Sequence, residues 1–358
     1  MTRRIPAGSI LALVLAGPVL AQEDDVIRLK EGRTLKATVV AADYGGLVLQ
    51  MQKGAQTTQP WKSVVSIEYG AAGDLPKALE SFRAGNLAEA RTVLEGVAKD
   101  QKLRPVVRQE ALYHLALAAQ RLGDHDAAIE GYRELLKAFP KGRYLRPAAE
   151  GLVECHLAKK DAAGAGKALD QAVADAKGAG VEAFQGEVAL LRGHVLEAQG
   201  KLAEAKTAYE AAQKGGGPAV QIEARLGVAR CIQQTSPSEA EKTYRELVGE
   251  KDAPTHVLAG AWNGLGQLLL EDGKKTRNAE KLTDALLAFL RGVVQYVPAR
   301  GEPTGEYERA LASSAQCFKF IADLEQKADR KRSFLDRSQQ RLEQLRKEFP
   351  SSPYLSGK

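Results

Sequence analysis

Histidines and carboxylates are the side chains of this sequence best suited to acid-base or metal chemistry, and they are dispersed. The five histidines fall one to a predicted helix or loop, at His114, His125, His156, His194 and His256. Glu150 and Glu154 share one helical face, but in a chain with 27% charged residues such a pair is typical of a solvated surface. The sequence contains no phosphate-binding glycine loop, no His-Glu-x-x-His or Gly-x-Ser-x-Gly motif and no cysteine pair at zinc spacing. We therefore predict that the protein is not an enzyme and has no catalytic residue, metal site or cofactor.

The three cysteines indicate no disulfide framework, because an odd number cannot all pair within one chain. Cys155, Cys231 and Cys317 each follow the small residue of a repeated pattern by two positions, so they occupy equivalent places on separate helices. Neighbouring helices stack about 8–10 Å apart, beyond the Cα separation of about 7 Å that a disulfide tolerates. We predict three buried free cysteines, with a reactive thiol as the alternative.

The repeated pattern runs from Gln109 towards the C-terminus with a period of 36 to 40 residues. Its clearest copy consists of Trp262, Leu265, Gly266, Leu269 and Gly273. This spacing places the first four residues on one helical face, where the small glycine lets a neighbouring helix approach closely. The final glycine is expected to end the helix. Another copy is formed by Leu112, Leu115, Ala116, Ala119 and Gly123.

A second helix follows the first in each copy, as Ala128, Tyr132 and Pro140 indicate. The helix pair and its period resemble the tetratricopeptide repeat, whose length is about 34 residues. The resemblance implies a mainly α fold: an α-solenoid of about seven antiparallel helix pairs over residues 76–350, in which neighbouring pairs bury each other's apolar faces. An irregular helical bundle is the alternative.

Residues 25–70 alternate between apolar and polar side chains, with glycines at positions 32, 45, 46 and 54. This pattern predicts four or five short strands in a small barrel or sheet of the SH3 or Sm type. The stretch LKEGRTLKATVVAADYGGLVLQ resembles the first half of an Sm-like domain, a family that forms RNA-binding rings. The loop after Asp43 lacks the asparagine with which that family holds a base, so we predict no nucleic-acid partner. We predict instead a packing or docking module that can self-associate through open sheet edges.

The N-terminus has the pattern of a secretory signal peptide over residues 1–21, in which Arg3 and Arg4 precede an apolar stretch and Ala21 ends a small-residue cleavage site. The apolar stretch is shorter than the roughly 20 residues of a membrane-spanning helix, and no later segment qualifies. No cysteine follows the cleavage site, so a lipid anchor is not indicated. We expect export to the periplasm or cell envelope. A hinge is predicted at residues 71–75 and a tail at residues 351–358.

The first helix of each pair lines the concave side of such an array. Side chains next to the apolar face with which this helix packs should therefore point into the concave side and face a partner. The predicted partner-binding residues are Tyr113, Leu117, Arg121, Glu154, Leu190, His194, Glu197, Arg230, Gln233, Asn263 and Gln267. Their mixture of apolar, amide and charged side chains suits an extended peptide or a partner helix. The predicted function is an exported, non-enzymatic scaffold or adaptor for protein or peptide partners in the bacterial cell envelope.

The basic last helix suggests a second function, because eight Lys and Arg side chains fall between Lys327 and Lys347. Together with the β module, this helix could bind an envelope polymer or a membrane surface. Such attraction weakens steeply with salt, whereas a groove anchored by Leu117, Leu190 and Leu226 should change little. An exposed basic end cap with no partner is the alternative.

Overall fold

The computed structural model of the 358-residue chain describes residues 24–51, 54–181, 184–298, 304–350 and 352–355. The predicted signal peptide, and residues 351 and 356–358 of the predicted tail, lie outside the described residues. The described chain divides into two compact units, the first ending at His114 and the second beginning at Leu115.

The first unit begins with a five-stranded antiparallel sheet, formed by β1 (Asp25–Leu29), β2 (Thr34–Asp43), β3 (Gly46–Gln50), β4 (Gln56–Gln59) and β5 (Val64–Glu68). The strand order is β4-β3-β2-β1-β5. Strands β4 and β5 are therefore the two edges, and within the described residues the sheet is not closed into a barrel. The predicted β module is confirmed as an open sheet.

Burial along the strands largely alternates, as the sequence pattern predicts. Val39 of β2 and Leu49 of β3 pair directly across the two strands, and both side chains are buried. A bulge between Val39 and Ala41 shifts the register, so that Ala42 is buried and Ala41 is not. The bulge keeps the apolar side chains on the inner face while the long strand bends.

Helices complete the first unit: α1 (Leu75–Ala84), α2 (Leu87–Lys99) and the first part of α3 (Pro105–Arg121), which continues into the second unit. Gly85 ends α1 with a φ of 83°, a left-handed conformation that favours glycine. Residues 71–75, interpreted from the sequence as a hinge, lie inside this unit.

A buried ion pair joins the sheet to the helices of the first unit. Asp25 is 0% exposed, and its carboxylate accepts hydrogen bonds from the backbone nitrogens of Val39 and Gly70 at 2.6 and 2.7 Å. The terminal nitrogens of Arg104, just before α3, donate to the same carboxylate at 2.8 and 2.5 Å. Arg104 also donates to the Gly70 carbonyl oxygen at 2.8 Å. The cluster thus fixes the start of the segment predicted to be a hinge.

The second unit consists of successive helices that pack on their neighbours. They are α4 (His125–Ala138), α5 (Leu145–Ala158), α6 (Ala162–Gly178), α7 (Gln185–Ala198), α8 (Leu202–Gly215), α9 (Pro218–Ile232), α10 (Pro237–Val248), α11 (Thr255–Thr276), α12 (Ala279–Gln295), α13 (Gly305–Leu324) and α14 (Ala328–Glu348). The odd-numbered helices α5, α7, α9, α11 and α13 also pack on one another in a row. The described chain therefore has 14 helices in seven pairs, as the repeat pattern predicts. None of these helices combines the length and apolar character needed to cross a membrane.

A buried tyrosine on the second helix of a pair sets the spacing between pairs. The ring of Tyr209 in α8 packs against Gly193 of its own first helix and Gly227 of the next one, and an added Cβ at either glycine would lie within 2.4 or 2.5 Å of the ring. The Tyr209 hydroxyl donates to Glu197 of α7 at 2.6 Å. The same arrangement recurs in two other pairs, at Tyr132, Gln120 and Gly151, and at Tyr244, Gln233 and Gly264.

One helix end differs from its prediction. Gly273 was expected to end the first helix of its pair, but α11 continues to Thr276. Gly273 is buried against Leu282 of α12, where an added Cβ would come within 2.9 Å of a methyl carbon. The glycine therefore serves close packing between the two helices, and Arg277 takes the left-handed conformation that ends α11.

The three cysteines are buried and free, as predicted. Burial raises the pKa of the Cys155 and Cys317 thiols to about 12 and that of Cys231 to about 11. These thiols stay protonated at neutral pH, so they act as small apolar side chains of the core.

Candidate partner-binding groove

The first helices of the second unit bring charged side chains together on one surface, which we call the ionic groove. It consists of Arg146, Glu150 and Glu154 of α5, Glu187, His194 and Glu197 of α7, Glu223 and Arg230 of α9, His256 of α11 and Glu306 of α13. These groups lie within electrostatic reach of one another across five helices. The groove is therefore a continuous feature of the row and not a property of one repeat.

Arg230 lies at the centre of the ionic groove. Its Nε is 3.0 Å from Glu197 Oε1, and its Nη1 donates to Glu306 Oε1 at 3.1 Å. Burial disfavours the charged guanidinium, but the negative charges of Glu197 and Glu306 outweigh this effect and raise the pKa of Arg230. One permanent cation thus connects α7, α9 and α13.

Asn263 of α11 positions one of these carboxylates. Its Nδ2 donates to the backbone oxygen of Glu306 at 2.8 Å and to Glu306 Oε2 at 2.7 Å. Asn263 is 0% exposed, so a partner cannot reach it. The structure therefore places this predicted partner-binding residue beneath the groove, where it orients Glu306 towards Arg230.

A second ion pair marks the α5 end of the groove. Arg146 Nε donates to Glu150 Oε1 at 2.6 Å, and Arg146 Nη1 lies 3.9 Å from Glu187 of α7. Burial acts against the charged form of Arg146, but the two carboxylates outweigh it and raise its pKa. Burial also raises the pKa of Glu150, against the opposing charge and hydrogen bond of Arg146.

Two histidines flank one carboxylate in the middle of the groove. His194 Nε2 of α7 and His256 Nε2 of α11 lie 3.8 and 3.6 Å from Glu223 Oε1 of α9. Burial lowers the pKa of His194, whereas for His256 burial is outweighed by the negative charge of the nearby Glu223, which raises the pKa. His256 therefore takes up a proton more readily than His194 as the pH falls. Among the described residues, no three His, Cys, Asp or Glu side chains are grouped as metal ligands would be.

Glu154 has no ion-pair partner among the described residues. Gln120 Nε2 donates to Glu154 Oε2 at 2.9 Å. The Glu154 side chain is exposed, but the charged groups of the groove crowd its carboxylate and reduce its hydration. This loss of hydration, reinforced by the charges of Glu150 and Glu223, raises the pKa of Glu154 to about 7. The α5 side of the groove thus carries a carboxylate that changes charge near neutral pH.

The structure brings four of the predicted partner-binding residues together in the ionic groove: Glu154, His194, Glu197 and Arg230. Leu190 does not line it, because this side chain is 2% exposed and packs with Tyr209 in the core. Leu117 is half-buried and Arg121 is exposed. Tyr113 belongs to the first unit, where its ring meets that of His114 edge to face at 5.2 Å.

The last two predicted residues, Gln233 and Gln267, line a cavity of about 780 Å³ between α9, α10 and α11. Leu265, Leu268 and Leu269 supply its apolar surface. The cavity offers apolar contacts that the ionic groove lacks.

Sequence reasoning missed several groove residues, although a signal for two of them was present. The position one step after the small residue of a repeat places His194 and Arg230 in the ionic groove. Moving seven residues towards the N-terminus on the same helical face reaches Glu187 and Glu223. Between Glu223 and Arg230 lies Leu226, three residues before the small residue Ala229 of its repeat. Leu226 is buried, so not every residue near this face reaches the groove.

Two stretches of the chain, residues 110–142 and 190–256, match family models described as tetratricopeptide repeat. The chain carries tetratricopeptide repeats. The first match covers most of α3 and all of α4, and the second runs from α7 through α10. A search of curated proteins finds no match. Tetratricopeptide repeats are protein-interaction modules, so the repeats of this chain imply a protein partner.

Three solved structures are similar to this tetratricopeptide repeat chain at low identity. A tetratricopeptide repeat protein from Parabacteroides merdae is 16% identical over 75% of this chain and 98% of its own length, with a TM-score of 0.47. The type IV pilus biogenesis factor PilW is 17% identical over 71% of this chain and 98% of its own, with a TM-score of 0.43. Pseudomonas aeruginosa PilF is 15% identical over 69% of this chain and 94% of its own, with a TM-score of 0.40. At these values none of them carries an inference about partners.

Proposed function

We propose that this chain is an exported, non-enzymatic scaffold whose tetratricopeptide repeats bind an extended peptide or a helix of a protein partner in the cell envelope. The ionic groove is the observation that carries the proposal, because five helices from successive pairs contribute charged side chains to one surface. Such a surface can fix the register of a partner through several charge-assisted hydrogen bonds.

The apolar part of recognition is assigned to the cavity beside Gln233 and Gln267. The expected anchors Leu190 and Leu226 are buried, so they are not available to a partner. Leu268 and Leu269 are only partly buried and line the cavity. A partner segment with charged side chains in the groove and one apolar side chain in the cavity fits this arrangement.

Crosslinking in cells tests the groove. The full chain carrying an affinity tag should crosslink to a distinct partner protein, and Arg230→Glu should reduce that product at least tenfold because it opposes Glu197 and Glu306. Arg245→Glu is the matched control, since Arg245 is exposed on α10 and pairs only with its neighbour Glu241. An unchanged product with Arg230→Glu, or an equal loss with Arg245→Glu, would show that the groove is not the binding site.

Export is tested separately from binding. If residues 1–21 are a signal peptide, the mature protein begins at Gln22 and is recovered outside the cytoplasm. Cell fractionation followed by mass spectrometry of the N-terminus measures both. Recovery of the uncleaved chain in the cytoplasm would contradict export and leave the groove proposal to be judged by its own experiment.

The basic helix α14 supports the second candidate function, binding to an anionic polymer or membrane surface. Six of its Lys and Arg residues are exposed, at positions 330, 331, 332, 337, 346 and 347, and so is Lys327 directly before the helix. The ionic groove is itself charged, so salt dependence alone cannot separate the two candidates. Sedimentation with anionic vesicles should be lost with Arg330→Glu/Arg337→Glu and kept with Arg230→Glu if α14 binds the surface. The opposite pattern would contradict this function.

A further inference from the structure

Helix α12 presents an apolar stripe to solvent. Leu287 is 54% exposed and Val294 is 70% exposed, and the half-buried Leu290 lies between them on the same helical face. Val297, two residues after the helix, is 57% exposed. Leu287, Val294 and Val297 are three of the eight large apolar side chains with high exposure in the described structure, and no other helix carries more than one of the eight. Clustered exposure of this kind marks an interaction surface.

The stripe is not required for the fold of α12. The opposite face of the helix supplies the core residues Leu282, Leu286 and Phe289, which pack against α13 side chains such as Phe318. That face already accounts for the attachment of α12 to the second unit. Leu290 also packs at the edge of this core, whereas Leu287 and Val294 remain exposed.

Charges beside the stripe differ between the two halves of α12. Glu280 and Asp284 are exposed in the N-terminal half, and Arg291 is exposed in the C-terminal half. None of the three side chains has an ion-pair partner among the described residues. The guanidinium of Arg291 lies over the Trp262 ring, 4.3 Å from its centroid, which holds the cation at the edge of the stripe.

We propose that the α12 stripe binds the same stripe of a second copy of this chain, with the two helices antiparallel. A twofold axis perpendicular to the helices makes the surface self-complementary, because the acidic half of one helix then faces the basic half of the other. Asp284 pairs with Arg291 of the partner subunit, while Leu290 packs against Leu290 of the partner subunit and Leu287 against Val294 of the partner subunit. A parallel pair would instead oppose like charges, so the charge pattern selects the antiparallel arrangement.

Charge exchange in the full chain tests the proposal, with mass measured by light scattering or sedimentation. The wild-type chain should be a dimer, and Asp284→Lys or Arg291→Glu alone should raise the dissociation constant at least tenfold by placing like charges together. An equimolar mixture of the two variants should form a heterodimer, because Lys at position 284 then faces Glu at position 291. Both substituted positions, Asp284 and Arg291, are exposed, so circular dichroism should be unchanged.

Two further variants separate the stripe from other interfaces. Val294→Glu should also give a monomer, whereas Val65→Lys on the edge strand β5 should leave the dimer intact. A monomeric wild-type chain would overturn the proposal, as would a variant mixture that stays monomeric. Loss of the dimer with Val65→Lys alone would place self-association at the sheet edge instead.

Discussion

The two arginine–carboxylate clusters of this protein, one in each unit, use the same chemistry differently. Around Asp25, each carboxylate oxygen accepts one backbone hydrogen bond and one from Arg104. Around Arg230, carboxylates from two helices share one guanidinium, and all three side chains keep contact with solvent. We call the Asp25 cluster closed, because its carboxylate is buried and fully hydrogen-bonded. We call the Arg230 cluster open, because its side chains remain in contact with solvent.

The difference shows that burial and saturation, and not residue type, separate a structural ion pair from a recognition surface. The Asp25 carboxylate already makes four hydrogen bonds in the interior and has none to offer a ligand. Glu197 and Glu306 keep faces that a partner can approach. We therefore expect substitutions in the closed cluster to act on stability and those in the open cluster to act mainly on binding.

The largest effect is expected for Asp25→Ala. This change leaves the Arg104 guanidinium and two backbone N–H groups without their acceptor in a buried site. The free energy of unfolding of the full chain, measured by chemical denaturation, should fall by about 3–5 kcal/mol. Glu31→Ala is the control, because the Arg33–Glu31 pair is exposed and should contribute no more than about 1 kcal/mol. If Glu31→Ala lowered the free energy of unfolding as much as Asp25→Ala, burial of the Asp25 cluster would not be what makes it stabilising.

A smaller loss is expected for Arg230→Gln. The substitution leaves Glu197 and Glu306 facing each other without a cation, but both carboxylates can recover hydration from the groove. The free energy of unfolding should fall by about 2 kcal/mol, between the values typical of exposed and of fully buried pairs. Adding Glu306→Gln should restore part of the loss by removing the repulsion. A loss as large as that of Asp25→Ala would mean that the Arg230 cluster is also structural.

Local signals made much of the fold predictable. The repeat of small residues specified the helix pairs, and the alternation of apolar residues specified the strands. The end of α11 was not predictable, because Gly123 and Gly273 occupy equivalent positions yet only Gly123 has a positive φ, 78°. Packing against Leu282 decides the difference. The link between Asp25 and Arg104 was also hidden, since the two residues are 79 positions apart and nothing in either neighbourhood marks the pairing.

The position of some groove residues could be predicted, because helical spacing places His194 and Arg230 on the side of the first helices where the charged groups meet. The prediction of Leu190 and Asn263 failed because spacing alone does not say how closely neighbouring first helices approach. In the structure these helices pack on each other, which covers the position three residues before the small residue. The apolar anchors expected in the groove are therefore core residues, and the surface that remains is ionic.

A further test compares two buried tyrosines that reach the groove side of the array. Tyr209→Phe removes a hydrogen bond to the charged Glu197, and Tyr244→Phe removes one to the neutral Gln233. Bonds to charged acceptors contribute more, so the free energy of unfolding should fall by about 1.5 kcal/mol for Tyr209→Phe and about 1 kcal/mol for Tyr244→Phe. Thermal or chemical denaturation measures both. The reverse order would indicate that Arg230 alone satisfies Glu197.

The smallest expected effect is a pH dependence of the folding stability that arises from Glu154 of the ionic groove. Its pKa is raised to about 7 in the folded chain and returns to the ordinary 4.5 on unfolding. As the pH falls through 7 towards 4.5, the folded state therefore binds a proton that the unfolded state does not, and stability should rise. The gain should be small because water reaches the side chain.

Denaturation of the full chain at several pH values between 7 and 4.5 measures this effect. Glu154→Gln should reduce the increase in the free energy of unfolding that accompanies the fall in pH. Glu204→Gln, at an exposed glutamate of the second helix α8, should leave the rise unchanged. Side-chain NMR of Glu154 should give a titration midpoint well above that of an exposed glutamate. A midpoint near 4.5 would show that the groove does not withdraw this carboxylate from water, and the α5 side of the ionic groove would then be ordinary solvated surface.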